Sequence, residues 1–446
     1  MSVFPSIIKT FFLQRNMISF LKQSEKWSKH QWHQYQLHEL KTLLHHCNTH
    51  VPYYHQIFKK YDINIDTIQS FDDFRKIPFL TKKDIQLHSN ELKAQNYPNN
   101  AFDLKKTSGT TEEPLHIYVK KHEWLAFHLA FNKMFMIRGG YTRGKKVVSI
   151  LGIPKKSRYH LFFNTLELSS LHLHQAFDEI ILKIKKFNPY FIVSYPSAIY
   201  FLAKFLKDTD QTAPFSIQSI FCHGEPVYDW QRKIIEKMFS CQVYDIYGNG
   251  ERCVLSATCK HSSLHHIFPN YCIVELIDAQ GNPITQEDAP GEIVSTGLLS
   301  HIFPFIRYKT GDVGIYTNKE CSCERNYPVI KSITGRLQDA VLTKHNKLIH
   351  ASSLYEVIDR FGKGVSTWQF HQSKKGKLHL HITVFKQYQD SYAEIKNKIQ
   401  KAFNETFQNG FDLSISLVDP IAHHNVRKHL FLIQTIPVDQ MMLSSF

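Results

Sequence analysis

Acidic side chains are the scarce charged class in this chain: 39 Asp and Glu face 54 Lys and Arg, a formal charge of +15 over 446 residues. That sign favours polyanionic partners such as nucleotides, nucleic acid or an anionic membrane surface. The basic residues are not massed, however. There is no arginine-rich tail and no run of five basic residues, and the lysines are spread along the whole chain. With no nucleic-acid-binding signature either, nucleic acid is not expected as a partner. Long hydrophobic runs are also missing: no stretch of 18 or more uncharged apolar residues occurs, so no membrane-spanning helix is predicted. Met1 to Leu21 holds one short apolar run, Ile7 to Leu13, containing Lys9, and lacks a small-residue cleavage site. It does not read as a secretory signal, and a cytoplasmic location is expected. Eight cysteines in that setting predict reduced thiols or a metal site, not a disulfide framework. Internal repeats, low-complexity tracts and a phosphate loop ending in Gly-Lys-Ser/Thr are absent as well.

What is present is an ordinary globular composition, 43% apolar, in a chain long enough for two or three domains. Residues 30–60 and 70–95 read as helices joined by turns, punctuated by Pro52-Tyr53-Tyr54 and Pro78-Phe79-Leu80-Thr81-Lys82-Lys83, with Thr81 a suitable N-cap. Glu123 to Ile137 carries apolar residues at helical spacing and ends at Gly139-Gly140. Strand and helix then alternate: Val147 to Leu151, Ala176 to Phe187, Tyr190 to Ser194, Pro196 to Leu206, Ile217 to Cys222, Asp229 to Phe239 and Val243 to Tyr247. Such alternation predicts crossover units on a mainly parallel sheet, with functional residues on the loops after strand ends. Residues 265–334 change to short strands (Ile273 to Ile277, Gly291 to Thr296) and turn signals, a β-rich subdomain. Beyond Gly335-Arg336, strand-like 378–385 and 413–418 with helix-like 391–407 make a small α+β domain of about 110 residues. The expected fold class is α/β, with a large N-terminal domain (1–336) of mixed, mainly parallel sheets flanked by helices, then a small C-terminal domain (337–446).

Thr107-Ser108-Gly109-Thr110-Thr111 packs four hydroxyls and one glycine into five positions, short donors suited to wrapping phosphate oxygens, although a polar surface turn has the same composition. Three further segments follow in order: Tyr247-Gly248-Asn249-Gly250-Glu251, Arg307-Tyr308-Lys309-Thr310-Gly311-Asp312 and Gly335-Arg336-Leu337-Gln338-Asp339. The ordered set resembles the adenylate-forming (AMP-binding) superfamily. Val51-Pro52-Tyr53-Tyr54 and Ile77-Pro78-Phe79-Leu80-Thr81-Lys82 are similar to the openings of its phenylacetate-CoA ligase and capsular-polysaccharide-biosynthesis branch. The resemblance covers nearly the whole chain.

What the resemblance implies is ATP-dependent activation of a small carboxylic acid as its acyl-AMP, with transfer to a thiol, CoA or a carrier. The loop 107–115 would hold the β- and γ-phosphates, and Glu251 would help bind Mg²⁺, a hard cation that wants carboxylate oxygen. Gly224-Glu225-Pro226 would line the adenine pocket. Tyr247 and Gly248 would lie against the base, Asp312 would accept from the ribose hydroxyls, and Arg336 would sit near phosphate or ribose. Lys428, in Val426-Arg427-Lys428-His429, occupies the place of the family's C-terminal lysine, which neutralises charge during adenylation. The family's small C-terminal domain is mobile about a hinge that maps to Gln338-Asp339. A homodimer is compatible with all of this.

Cysteine spacing makes a separate point. Cys253 and Cys259 are followed about 60 positions later by Cys321 and Cys323, two close pairs fitting tetrahedral coordination of a structural Zn²⁺, with His261 and His265 in reserve. Small buried core residues would produce the same list. Two departures from the family pattern stand out. Glu112 and Glu113 replace the usual glycine and lysine after the threonines, which is unfavourable beside a triphosphate unless Mg²⁺ or Lys105 and Lys106 compensate. Residues 152–174 have only Gly152 where aromatic-acid members are glycine-rich, which argues against phenylacetate; Ser194-Tyr195-Pro196-Ser197 is closer to the capsule branch. An enzyme of polysaccharide biosynthesis with another acceptor, and a non-catalytic nucleotide-binding relative, are the alternatives.

Overall fold

The computed structural model describes residues 4–106, 115–153, 157–418 and 428–436. Helices start where the sequence supplies caps. Ser28 and Gln31 close a reciprocal capping box ahead of helix Lys29–His50, Thr81 and Asp84 do the same ahead of Lys82–Leu87, and Pro52 takes the first turn of Pro52–Lys60, where its missing N–H costs nothing. Helix Phe4–Ser24 precedes them, an element the periodicity argument did not anticipate. Two compact units result, and the chain enters each of them twice.

The first unit comprises Met1–Gly139 and Ile246–Ile333. Strands Cys272–Ile277, Pro290–Gly297 and Tyr308–Ile315 form an antiparallel array, and the N-terminal helices pack on the residues leading into its third strand. Tyr54 Oη donates to Pro304 O and accepts from Ile306 N, both at 3.0 Å. Next along the chain is Arg307, 4% exposed and at φ +48°. Its Nε and Nη2 form a fork onto Glu275, each at 3.0 Å, and its Nη1 donates to the carbonyls of Arg75 and Ile77. The guanidinium also lies 4.2 Å from the Phe79 ring centroid. A planar donor fork satisfied on every side is the arrangement in which a buried arginine is tolerated.

In the second unit, Gly140–Asp245 with Thr334–Phe446, the predicted crossover architecture is present. Strands Ser219–His223, Phe191–Ser194, Val147–Leu151 and Thr165–Ser169 run parallel in that spatial order, with Ser157–His160 antiparallel at the edge. The C-terminal segment adds a four-stranded mixed sheet. Val365–Lys374 pairs antiparallel with Lys377–Val384, which runs parallel to Asp412–Leu417, and Leu432–Gln434 lies parallel on the other side. Helices Ala351–Phe361 and Tyr392–Thr406 accompany it.

Helix Pro196–Asp208 is buried along nearly its whole length. Its sequence, PSAIYFLAKFLKD, is apolar on every side, as a helix covered all round must be. Phe201 meets Trp368 edge-on at 5.4 Å and Phe205 meets Phe385 at 5.3 Å, while Tyr200 Oη donates to Asp359 Oδ1 at 2.6 Å. Lys204, wholly buried, donates to Asp208 Oδ2 at 2.7 Å and to Gly362 O at 3.1 Å, and Gly364 N donates to the same Asp208 oxygen at 2.9 Å. Removing the cation alone strands the carboxylate. Lys204→Met is expected to cost about 3–5 kcal/mol, the usual penalty for breaking one side of a buried pair. The readout is the urea midpoint of purified protein, and an unchanged midpoint would show that the pair is not holding the helix.

Candidate active site

In the first unit, residues 246–248, the end of strand Gln242–Gly248, lead into the Gly248–Glu251 turn. Tyr247 Oη donates to Asp312 Oδ2 at 2.7 Å, so two of the predicted nucleotide-binding side chains meet directly. Burial of that hydroxyl, with the Asp312 charge adding to it, pushes the phenol well above its ordinary range and keeps it a donor. Asp312 is placed by its own turn. Gly311 lies at φ +74°, a conformation glycine adopts without strain, and Thr310 Oγ1 accepts from Asp312 N at 3.1 Å while donating to Ile293 O at 2.7 Å. Glu251, half-buried, accepts from Tyr308 Oη at 3.3 Å. Tyr308 follows Arg307, so the clamp on Arg307 sets the start of the strand carrying both Tyr308 and Asp312.

In the second unit, strand Ser219–His223 ends at the turn Gly224-Glu225-Pro226. Gly224 lies at φ +84°, and a Cβ there would sit 3.2 Å from Lys428 Nζ and 3.3 Å from the Tyr195 ring. Lys428 Nζ donates to the Gly224 carbonyl, across 204 positions of sequence, and lies 5.7 Å from the Tyr195 ring centroid. The lysine is held there by its neighbours: His429 Nε2 is 2.8 Å from Trp368 O, and Phe370 pairs with Leu432 in the sheet. Glu225 caps helix Pro196–Asp208, accepting from Ser197 N at 2.9 Å and Ser197 Oγ at 3.1 Å. Those bonds and Lys428 favour the carboxylate, but burial outweighs them and the Glu225 pKa is raised. Arg336 belongs to a second turn in this unit, its N donating to Asp339 Oδ2 at 3.0 Å. Gly335, at φ +122°, lies against Asp339, His350 and Tyr228.

The cysteine expectation needs one correction. Cys259, His266, Cys321 and Cys323 have their donor atoms within 4.8 Å of one another, whereas Cys253 is not of the group. Its Sγ accepts from Asn249 Nδ2 at 3.1 Å in a fully buried position against Gly297. His266 takes the fourth place: its Nε2 is 3.2 Å from Cys323 Sγ, and Cys259 Sγ is 3.5 Å from Cys321 Sγ. Burial alone would raise the Cys323 thiol, but the hydrogen bond from His266 and its other neighbours bring it down to about 5. Three sulfurs and an imidazole converging in a half-buried site suit a tetrahedral thiophilic cation. The reserve histidines are elsewhere: His265 Nδ1 is 3.2 Å from Ser256 Oγ, and His261 touches the cluster only through its backbone N, which donates to Cys259 Sγ at 3.4 Å.

Thr107, Ser108, Gly109, Thr110 and Thr111, with Glu112 and Glu113, lie outside the described residues; the strands on either side, Phe102–Lys106 and His116–Lys120, pair antiparallel. Three side chains at these sites were not singled out from sequence. Tyr308, His266 and Tyr195 all belong to segments that were, but the place of Tyr195 beside Gly224 and Lys428 becomes visible only where those residues converge.

No protein-family model matches the chain. Protein CapK of Staphylococcus aureus is 24% identical over 343 residues, 74% of each chain. A phenylacetate-coenzyme A ligase of Thermus thermophilus is 23% identical over 332 residues, 68% of this chain and 70% of that one. A crystal structure of 2-hydroxyisobutyryl-CoA ligase, in the postadenylation state with R3-HIB-AMP, superposes with a TM-score of 0.74 at 18% identity, covering 95% of this chain and 94% of the other. The chain has the fold of that CoA ligase.

A carboxyl whose folded pKa is raised binds its proton more tightly folded than unfolded, so its ionisation weakens the fold as pH rises. Glu225→Gln cannot ionise and keeps an acceptor for Ser197. It is expected to melt about 2–4 °C above the parent near pH 7.5, and the gain should vanish below the ordinary glutamate range. A melting curve with no such pH-dependent gap would refute this.

Proposed function

We propose that this chain activates a carboxylic acid with ATP and passes the acyl group to the thiol of CoA. An oxygen of the carboxylate attacks the α-phosphorus, the bond to the bridging β-oxygen breaks, and pyrophosphate leaves. The thiol sulfur then attacks the acyl carbonyl carbon and AMP departs. The observation that carries this reading is Lys428, stationed on the carbonyl of Gly224 beside the Gly224-Glu225-Pro226 turn. Negative charge grows on the α-phosphate during attack, and a fixed ammonium is worth most where it need not be recruited from solvent. Asp312, aligned by Tyr247, is suited to accept from ribose hydroxyls. Glu251, oriented by Tyr308, offers carboxylate oxygen of the kind Mg²⁺ prefers, and Mg²⁺ there would neutralise the phosphates. The curated relatives named phenylacetate-coenzyme A ligase support the thiol acceptor. The similarity to Protein CapK, with the resemblance of Ser194-Tyr195-Pro196-Ser197 to the capsule branch, supports a second reading, in which an amine or hydroxyl of a glycan precursor takes the acyl group in place of CoA.

Acid-dependent exchange of pyrophosphate into ATP tests the first half-reaction. Lys428→Ala is expected to slow exchange about 10²–10³-fold with little change in melting temperature. Failure of every acid in a broad aryl, fatty and hydroxy-acid panel would overturn the reading.

We further infer that Cys259, His266, Cys321 and Cys323 bind one structural zinc, four protein ligands leaving no open position for substrate. Elemental analysis of freshly purified protein is expected to find about one zinc per chain, lost in Cys321→Ser and retained in Cys253→Ser. Equal zinc in both variants would exclude this ligand set.

A further inference from the structure

Arg252, one residue beyond Glu251, has no role in the chemistry described so far. Its φ is +61°, a conformation that an arginine keeps only when its surroundings compel it. The guanidinium carbon lies 3.9 Å from the Trp124 ring centroid, flat-stacking distance for a cation on an indole. Trp124 is not isolated on its helix, Glu123–Arg138. His128 follows one turn later on the same face, and Asn132 Nδ2 is 2.9 Å from His128 Nε2. On another flank is Tyr271, whose ring meets Phe131 of the same helix edge-on at 5.1 Å. Lys105 adds a second positive charge, 5.5 Å from the Trp124 centroid.

The polar groups here are under-used. Among the described residues, Arg252 Nη1 is buried without a hydrogen-bond partner, and no carboxylate lies within ion-pair distance of the guanidinium. Burial disfavours the charged form of Arg252; burial and the Arg252 charge together lower the His128 pKa, so the imidazole is neutral near pH 7 and does not compete for an anion. Arg307 in the same unit shows the contrast, since every edge of its guanidinium that bonds is matched by a carboxylate or carbonyl. Unmet buried donors on a planar cation call for an oxyanion.

We propose that Arg252, backed by Trp124, is a recognition site for an oxyanion carried by a substrate: the second carboxylate of a dicarboxylic acid, or a phosphate of the nucleotide. Its functional meaning rests on the acid-activation reading, but the binding itself does not. The chain would then favour acids with a second negative group, or would grip ATP through a cation outside the threonine-rich loop.

The test uses the full chain, with calorimetric titration of succinate, glutarate and inorganic pyrophosphate against benzoate as the monoanion control. At least one dianion is expected to bind the parent, and Arg252→Gln to weaken it about 10- to 100-fold. Arg252→Lys, which keeps the charge but not the fork, should lose less, and it carries the comparison if the glutamine variant does not fold. In pyrophosphate exchange, a raised KM confined to dicarboxylic acids identifies the acyl source, and a raised KM for ATP with every acid identifies the nucleotide. If no dianion binds the parent, or the folded variants bind as the parent does, the oxyanion site is refuted. Arg252-dependent binding without any acid-supported exchange would remove the activation reading and leave the site standing.

Discussion

The arginine fork on Glu275 is the constraint on which the first unit's chemistry depends. Arg307 binds the carboxylate of Glu275, two strands away in the same sheet, with one edge and the carbonyls of Arg75 and Ile77 with another, so it ties the N-terminal segment to the strand bearing Tyr308 and Asp312. A buried ion pair adds little net stability against an apolar replacement of the same shape. Its contribution is geometric. With φ at +48° the chain turns at Arg307 itself, and the fork holds that turn where Tyr308 reaches Glu251 and Asp312 reaches Tyr247. The helical preface is therefore part of the site's scaffold, although it supplies no reacting group.

Much of the second unit was legible in the sequence, because strands buried on both faces read as continuous apolar runs and short helices between them read as crossovers. Val147–Leu151 and Asp229–Phe239 stand where the pattern places them, and the other crossover elements differ by a residue or two at their ends. The N-terminal helix Phe4–Ser24 was not legible: its apolar residues lack one clear face, and no acidic residue marks its first turn. In the C-terminal segment, Val365–Lys374 and Ala351–Phe361 also went unread, the former because Ser366, Thr367, Gln369 and Gln372 interrupt its alternation and are buried by tertiary packing.

At the candidate site, the ordered motifs named segments of the chain but not the pairings between them. That Tyr247 orients Asp312 follows only from the hydrogen bond between strands of two different sheets. The metal-ligand set shows why spacing misleads: the pairing of strand Ser262–Ile267 with Leu255–Cys259 is irregular between Ser262 and His266, and a bulge shifts the two-residue alternation by one. Counting along the strand cannot then choose between His265 and His266. Cys253 was drawn in by proximity in sequence to Cys259, yet it lies before that strand begins, packed on Gly297.

Helix Pro196–Asp208 has a consequence for how the protein comes into being. Its apolar surface is covered from one side by residues made just before and after it, and from the other by Trp368, Phe385 and Phe431, which leave the ribosome more than 150 positions later. During synthesis that second face stays open while the intervening segment is translated, tens of seconds at most at bacterial-type elongation rates of about 5–20 residues per second. The nascent chain thus exposes Phe201 and Phe205, with the charged Lys204 between them, until its C-terminal sheet closes over them. A single lysine at the centre of that surface lowers its appetite for self-association in the interval, and its pair with Asp208 gains its further partners only when Gly362 and Gly364 are in place.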